Sequence, residues 1–207
     1  MSRHQHSAVD EAVLKYGLRT EAQLRKFFRS SGVAYPPQEI ALLAFKKERC
    51  IELWARNPKS IWRYIHTYPL TAFSGHLGPK LRENDGQIPE GVYHLTDFNP
   101  FSSMHLSILI DYPNGFDRTQ AAKDGRRHLG NNIFLHGKSL SAGCLAVGDH
   151  AIDQLFLLAR RVGLTNINLI IAPNDLRISK PATSPYAPPW APKLYAQLKQ
   201  SLRPFRY

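Results

Sequence analysis

Apolar residues near the N-terminus recur at the spacing of an α-helix. The pattern predicts two short helices between residues 8 and 30, the second beginning near Thr20, a residue type that often caps helices. The sequence Tyr35-Pro36-Pro37 then ends the pattern, because proline cannot continue a helix. The residues that define the helical spacing are Val9, Val13, Leu14, Leu18, Leu24, Phe27 and Phe28.

Beyond these prolines the apolar residues alternate as they do in β-strands. We predict a hairpin over residues 41–56 that turns at Lys47-Glu48. An apolar stripe predicts a helix from an N-cap at Asp149 to about Arg161. Many short strands with few helices predict an antiparallel sandwich or barrel with helices at both termini. The remaining predicted elements are strands at 61–70, 92–96, 105–111, 133–136 and 167–172, and a short helix at 194–202.

These elements divide the chain into three parts. An N-terminal helical segment covers residues 1–36, a mainly β domain covers 37–174, and a Pro-rich extension with a short helix covers 175–207. No stretch approaches the roughly 20 apolar residues of a membrane span, so no transmembrane segment is expected. The first ten residues lack the apolar region of a signal peptide. Either the protein is not exported by the general route, or its signal has been removed.

The charge balance is strongly basic. The formal net charge is +11 at pH 7, which predicts an anionic partner such as nucleic acid, an acidic membrane surface or an acidic polymer. The basic residues are scattered and match no known nucleic-acid-binding motif, so we do not expect nucleic acid as the partner. Binding to nucleic acid stays as an alternative, and steep salt dependence of binding to DNA would favour it.

The segment 133–149, IFLHGKSLSAGCLAVGD, contains the candidate chemistry. A cysteine reacts as its thiolate, so it needs a base nearby. His136 ends a predicted strand, and the loop 137–143 can fold back to bring it to Cys144. The backbone amides of Ala142, Gly143 and Cys144 could then converge on a developing oxyanion.

Other interpretations of Cys144 remain open from the residues alone. It could be a buried packing residue, or it could pair with Cys50 in an oxidising compartment. It could also bind zinc with His136 and either His150 or His128, although no usual zinc spacing is present. The sequence predicts neither a metal nor a cofactor.

Residues His136-Gly137 and Ser141-Ala142-Gly143-Cys144 resemble the HG…SxGC signature of the L,D-transpeptidase (YkuD-type) catalytic domain. Three further blocks resemble the YafK-like branch of that family, and together they follow the family's order over roughly residues 40–173. One position departs from most members, which have an arginine two places after the cysteine where this chain has Ala146. The blocks are 44–56, 67–95 and 111–118.

The resemblance implies a flattened β-barrel or sandwich for residues 37–174 and an enzyme that modifies peptidoglycan. Cys144 would attack the third-position diamino acid of a stem peptide and form a thioester. His136 would take the thiol proton, oriented by the backbone carbonyl of Gly137. An acceptor amine then gives a cross-link, whereas water gives hydrolysis.

Several alternatives fit the same resemblance. An L,D-carboxypeptidase or amidase would release a terminal D-residue or an attached protein, which makes a wall-attached lipoprotein a second expected partner beside stem peptides. A delivered antibacterial effector would also use this chemistry, and a non-catalytic cell-wall-binding module would keep only the fold. The expected location is the periplasm or another extracytoplasmic space, or outside the cell for an effector.

Six further residues are candidate substrate contacts. Tyr112 and Asn114 could line the cleft together with Asp117, although Pro-Asn-Gly is also a common turn. Lys80 and Arg82 could meet the carboxylates of stem peptides, or could lie in a solvated loop. Ser141 could hydrogen-bond near the thiol. His105 is expected to be a core histidine rather than a cleft residue.

Overall fold

The structure is a computed structural model that describes residues 3–182 and 184–207, with the side chains of residues 3–6, 18 and 19 left out. The helices are α1 (Arg3–Ser30), α2 (Gly115–Lys123), α3 (Asp149–Val162) and α4 (Ala191–Leu202), with a short 3-10 helix at Leu164–Asn166. The strands are β1 (Glu39–Phe45), β2 (Cys50–Arg56), β3 (Arg63–Pro69), β4 (Gly91–Asn99), β5 (Ser107–Ile110), β6 (Phe134–His136), β7 (Leu145–Ala146) and β8 (Ile167–Ala172). The predicted class, mainly β with helices at both termini and one after the cysteine loop, is confirmed.

All eight described strands form one curled sheet in the order β3-β2-β1-β8-β4-β5-β6-β7. The predicted β1–β2 hairpin is present. The sheet is mixed rather than antiparallel as expected, because β1 runs parallel to β8 and β6 runs parallel to β7. After β3 the chain reaches the far end of the sheet, where the Thr71 N–H donates to the carbonyl of Ala146 at 2.9 Å. The sheet therefore curls into a half-barrel.

Helices cover both faces of the central strands. Residues Ile40, Leu42 and Ala44 of β1 are buried in a cluster with α1 and α3. Their neighbours on the opposite face, Ala41, Leu43 and Phe45, are buried against α4 and the C-terminal residues. Burial on both faces explains why β1 has a continuous apolar run instead of strict alternation.

The N-terminal region forms one helix, so the prediction of two short helices is wrong. α1 continues without interruption through Gly17 and Thr20. Packing explains the continuity, since Leu24 and Phe28 in its second half are fully buried. Exposed ion pairs, Arg160 with Asp10 and Arg161 with Glu21, also join the helix to α3. These tertiary contacts outweigh the weak helix preference of a single glycine.

Candidate active site

Strands β6 and β7 bring His136 and Cys144 together. The two strands pair in parallel, Leu135 with Leu145 and His136 with Ala146. One position earlier, the N–H of Phe134 donates to the Sγ of Cys144 at 3.4 Å. Because side chains alternate along a strand, this register places the cysteine and the histidine on the same face of the sheet. Both residues line one cleft of about 600 Å³.

This cysteine cleft lies between the segment 132–144 and the loop that follows β4. Among the described side chains that line it, His136 is the only titratable group besides the Cys144 thiol. The rest are hydroxyl, amide, thioether and apolar groups, and the loop contributes the ring of Phe101 and the hydroxyls of Ser102 and Ser103. The lining residues are Asn99, Phe101, Ser102, Ser103, Met104, Ser107, Phe134, His136, Leu140, Ser141, Ala142 and Cys144.

The His136 ring is held in the form that a general base requires. Its Nδ1 lies 2.6 Å from the backbone carbonyl of Gly137. A carbonyl oxygen only accepts hydrogen bonds, so Nδ1 carries the proton and Nε2 keeps its lone pair. Burial lowers the pKa of His136 below its usual 6.5, and the bond to Gly137 opposes that shift. The imidazole is therefore neutral at pH 7.

The Cys144 thiol is also neutral at rest. Burial raises its pKa above the usual value of 9.0, while the Phe134 N–H and the positive charge of Lys80 act in the opposite direction. Its Sγ also lies 3.8 Å from the carbonyl of Asn132. Within the described part of the chain, Sγ hydrogen-bonds these backbone groups and not the imidazole. Cys144 and His136 are therefore an uncharged pair and not a thiolate–imidazolium pair.

The loop before Cys144 is held by two serines. The Gly143 N–H donates to Ser74 Oγ at 2.8 Å, and Ser74 Oγ lies 2.9 Å from Ser141 Oγ. The Ser141 hydroxyl donates in turn to the Cys144 carbonyl at 2.9 Å. The expectation that three consecutive amides, of Ala142, Gly143 and Cys144, point at an oxyanion is therefore wrong for Gly143, since its N–H is already bonded.

Two glycines in this region occupy positions where a side chain does not fit. Gly143 has φ +114, and a Cβ there would lie 2.9 Å from the carbonyl oxygen of Gln87. A Cβ on Gly137 would lie 2.6 Å from an Asp149 carboxylate oxygen. Asp149, predicted as an N-cap, is the first residue of α3, and its carboxylate accepts the N–H of Lys138 at 2.7 Å. The glycines of the sequence motif thus keep the strand, the loop and α3 in close contact.

The predicted substrate contacts Tyr112 and Asn114 lie outside the cysteine cleft. The Tyr112 side chain is buried, and its hydroxyl donates to the carbonyl of Leu129 at 3.1 Å. Asn114 is the N-cap of α2, a helix that the sequence pattern did not indicate. Its side chain accepts the N–H of Phe116 at 2.9 Å and that of Asp117 at 3.1 Å. Both residues support the backbone of this region.

The two basic candidates occupy different surroundings. Lys80 is buried and forms an ion pair with Asp85, and its charge reaches the Cys144 thiol without lining the cleft. Arg82 is exposed and lines a separate cavity of about 470 Å³ beside Tyr186. Of the six predicted substrate contacts, which include Asp117, only Ser141 lines the cysteine cleft.

Other candidate residues are placed as follows. His105 lies 2.7 Å from an Asp153 carboxylate oxygen and does not line the cysteine cleft. Cys50 and Cys144 are both free thiols. In the described ranges, no group of three or more His, Cys, Asp or Glu side chains could hold a metal ion. None of the described helices is long and apolar enough to cross a membrane.

Sequence reasoning missed several residues of the site. Ser74 and Gln87 support Gly143 from a distant loop, and Asn132 and Phe134 contact the Cys144 sulfur. Phe101, whose side chain is 80% exposed, lines the opposite wall. The only local signal was the density of Ser and Gly in 73–78, FSGHLG, which also occurs in ordinary turns.

The fold and the cleft define a mostly β protein with a cysteine–histidine site where two parallel strands meet. Two solved structures of the helical cell shape determining protein Pgp2 from Campylobacter jejuni have a similar fold. One is 17% identical with a TM-score of 0.54, and covers 79% of this chain and 57% of that chain. The other, a mutant of the same protein, is 16% identical with a TM-score of 0.54, and the match covers 98% of this chain and 64% of the mutant chain. At this identity the likeness shows the fold alone.

Sequence comparison gives a more specific relationship. The proteins named "Putative L,D-transpeptidase YafK" from Escherichia coli K12 and O157:H7 are each 32% identical to this chain over 114 residues. The matched region is 54% of this chain and 44% of each relative, so the chain spans less than half the length of the curated relatives it matches. No family model matches the chain. The predicted resemblance to the YafK-like L,D-transpeptidases is confirmed.

Proposed function

We propose that this chain is a cysteine enzyme that modifies peptidoglycan at the third-position diamino acid of stem peptides. The observation that supports it most is the placement of Cys144 and His136 in one open cleft, with the His136 Nε2 lone pair left available by the Nδ1 bond to Gly137. The resemblance to YafK supports peptidoglycan as the substrate.

The proposed reaction passes through a thioester. Nε2 of His136 takes the Cys144 thiol proton as sulfur attacks the carbonyl carbon, which forms a C–S bond. The imidazolium then gives its proton to the leaving nitrogen as the C–N bond breaks. Water or an acceptor amine then attacks the thioester carbonyl and gives a proton to Nε2, and the imidazolium passes it to sulfur as the C–S bond breaks. The N–H groups of Ala142 and Cys144 are the remaining candidates for the oxyanion.

The cleft lining favours one type of leaving group. A terminal D-residue has a carboxylate beside the scissile bond, and among the described residues no Lys or Arg side chain lines the cysteine cleft to pair with it. Ala146 is fully buried, and Lys80 is paired with Asp85. An amide to the side-chain amine of an attached protein has no carboxylate next to the bond. Release of such a protein is our second candidate reaction, and the lining favours it over transpeptidation from a tetrapeptide and carboxypeptidation, both of which displace a terminal D-residue.

The proposed substrate determines the proposed location. Peptidoglycan lies outside the cytoplasmic membrane, so the chain would act in the periplasm or another extracytoplasmic space. A delivered effector that acts on a competitor's wall would meet the same substrate. The net charge of +11 suits an anionic polymer.

The test is incubation with purified tetrapeptide and protein-linked muropeptides, followed by mass analysis of the products. Cross-linked dimers would indicate transpeptidation. Loss of one D-residue would indicate carboxypeptidase action, and free protein would indicate the amidase reaction. We expect Cys144→Ala to abolish turnover and leave the fold intact.

The matched control is Cys50→Ala, because Cys50 is the other free thiol and does not line the cysteine cleft. It should keep full activity. Turnover that persists in Cys144→Ala, or an unmodified chain that binds sacculi without changing any substrate, would contradict the proposal. The second result would favour a non-catalytic wall-binding module.

A further inference from the structure

The C-terminal part of the sequence carries basic side chains and no acidic ones. Residues 176–207 contain six Lys or Arg and no Asp or Glu, so this segment supplies more than half of the formal net charge of +11. In the structure the segment leads into α4, which packs on the face of the sheet opposite α1 and α3. Its positive charges therefore have no acidic residue of the same segment to offset them.

Three of these cations lie together around a cavity of about 410 Å³ at the end of α4. Lys199, Arg203 and Arg206 line this cavity, and all three are exposed. Within the described ranges their side chains form no ion pair, and Arg206 Nε donates only to the carbonyl of Arg203 at 3.2 Å. A carbonyl carries no net charge, so the three cations face solvent without a described counter-charge.

The carboxylates near this cavity are already paired. Arg177 lies 2.7 Å from Asp175, which lines the cavity, and 2.8 Å from Glu52. Each of these three side chains is at most 11% exposed. One guanidinium and two carboxylates leave a single negative charge in the buried wall, against three positive charges at the surface. The cavity therefore presents a net positive charge to solvent.

Two large apolar side chains are exposed at the same cavity. Ile178 is 83% exposed and Tyr207 is 84% exposed, and both line the cavity beside the three cations. The Tyr207 ring is held in place, since its hydroxyl donates to Glu52 at 2.6 Å. An anionic polymer offers charge with little apolar area, whereas an anionic lipid surface offers both. We call the following set of residues the α4 surface: Ile178, Lys199, Arg203, Arg206 and Tyr207.

We propose that the α4 surface binds the interface of an anionic lipid membrane. The long side chains of its three basic residues would reach the lipid phosphates while their apolar stems stay near the acyl boundary. Ile178 and Tyr207 would lie at the boundary between headgroups and acyl chains, where aliphatic and aromatic side chains are stabilised. None of the five residues lines the cysteine cleft, so this inference does not depend on the proposed function.

Sedimentation of the full chain with lipid vesicles tests the proposal. One vesicle preparation contains equal parts of phosphatidylglycerol and phosphatidylcholine, another contains phosphatidylcholine alone, and purified sacculi serve as an anionic polymer without lipid. We expect the chain to bind the mixed vesicles in preference to both other probes, and salt should weaken this binding.

Two variants separate the charged from the apolar contribution. The triple variant Lys199→Gln, Arg203→Gln, Arg206→Gln should bind mixed vesicles about 100-fold more weakly, since each basic residue near an anionic surface contributes about fivefold. Ile178→Ser should weaken binding about tenfold, and this loss should persist at high salt because an apolar contact is not screened.

The matched control is the triple variant Lys15→Gln, Lys26→Gln, Arg29→Gln, which removes the same charge from exposed residues of α1 that do not line the cavity. It should bind mixed vesicles within about fivefold of the parent. Circular dichroism checks that each variant is folded. The inference is overturned if phosphatidylcholine binds equally well, or if the α1 variant loses as much binding as the α4 variant. Loss of binding to sacculi but not to vesicles in the α4 variant would also overturn it, and would identify a polymer-binding surface instead.

Discussion

At the scale of single residues, the environment of the cleft moves two pKa values in opposite directions. Burial lowers the pKa of His136 and raises the pKa of Cys144, because each charged form loses water. Both groups are therefore neutral at pH 7. The proposed mechanism therefore uses proton transfer from sulfur to Nε2 during attack, rather than a thiolate that exists beforehand.

This neutral pair predicts a particular alkylation profile. In a Cys50→Ala chain, which keeps Cys144 as its one thiol, reaction with iodoacetamide should be slow at pH 7. The rate should increase steadily with pH and level off only above pH 9.0, the usual thiol value, because the pKa of Cys144 is raised and the thiolate is the reactive form. Mass spectrometry of the modified fraction at each pH measures the rate. A profile that already levels off below pH 7 would indicate an ion pair and contradict the prediction.

Turnover should respond to pH on the acidic side through His136. The base must be neutral, and its pKa lies below 6.5. As pH falls, kcat/KM should therefore stay high until pH is below 6.5, and decrease only as the imidazole becomes protonated. His136→Ala should lower kcat about 10²- to 10⁴-fold. An acid limb centred above pH 6.5, or a loss of less than tenfold in His136→Ala, would rule out this role.

The two proposed catalytic residues, His136 and Cys144, could be found from sequence because they occupy one short segment. Their supporting residues could not. Ser74, which accepts the Gly143 N–H, and Gln87, whose carbonyl approaches Gly143, come from a loop far away in sequence. Tyr112 and Asn114 were predicted as substrate contacts because their residue types suit substrate binding. Their side chains instead form hydrogen bonds with backbone groups. A residue's type does not reveal which partner the fold gives it.

At the scale of elements, local patterns predicted strands well and their partners poorly. The alternation in β2 and β3 and the apolar run of β1 were visible, and the β1–β2 hairpin formed as expected. The parallel pairing of β1 with β8 could not be predicted from local patterns, since it depends on contacts between distant parts of the chain. Helix α2 was missed because Pro-Asn-Gly predicts a turn, although Asn114 in fact caps the helix that follows.

Helix α2 is joined to the sheet by a carboxyl group with a shifted pKa. Asp117 accepts the N–H of Asn114 at 3.0 Å and lies 3.2 Å from the hydroxyl of Tyr93. Burial raises its pKa from 3.8 to about 6, and the two hydrogen bonds only partly oppose this. The folded state therefore binds this proton more tightly than the unfolded state. Its contribution to stability is greatest below pH 3.8 and is lost as pH rises through about 6.

Asp117→Asn tests this assignment. An amide is neutral at every pH and can still accept from Asn114, so the variant should lack the pH-dependent contribution. The difference in unfolding free energy, parent minus variant, should fall by up to about 3 kcal/mol between pH 4 and pH 7. Urea denaturation of both chains at several pH values measures it. A difference that stays constant over this range would mean that Asp117 does not titrate as stated.

At the scale of the whole molecule, a buried ion pair connects three parts that surround the site. Lys46 at the end of β1 lies 3.0 Å from Glu90, and both side chains are fully buried. Glu90 accepts the Tyr195 hydroxyl of α4 at 2.9 Å, and Lys46 donates to the carbonyls of Gly78 and Ile88 at 2.7 and 2.9 Å. The loop held in this way contains Gln87, whose carbonyl lies against Gly143. The pair thus links α4 and the sheet to the cysteine loop.

Lys46→Met should therefore affect both stability and activity. The substitution leaves the Glu90 carboxylate buried without its cation, which should cost about 3–5 kcal/mol of unfolding free energy. Adding Glu90→Gln removes the unpaired charge, so the double variant should be more stable than Lys46→Met alone. Arg160→Met breaks the exposed pair with Asp10 and should cost less than about 1 kcal/mol.

Urea denaturation of the three variants separates a buried pair from a surface pair, and turnover measured well below the unfolding transition tests the link to the cleft. If the pair holds the loop that supports Gly143, Lys46→Met should lose activity even where it is fully folded, and Arg160→Met should not. A folded Lys46→Met chain with normal turnover would show that the cysteine loop keeps its shape without this network. Ser74 and Ser141 would then be sufficient to hold it.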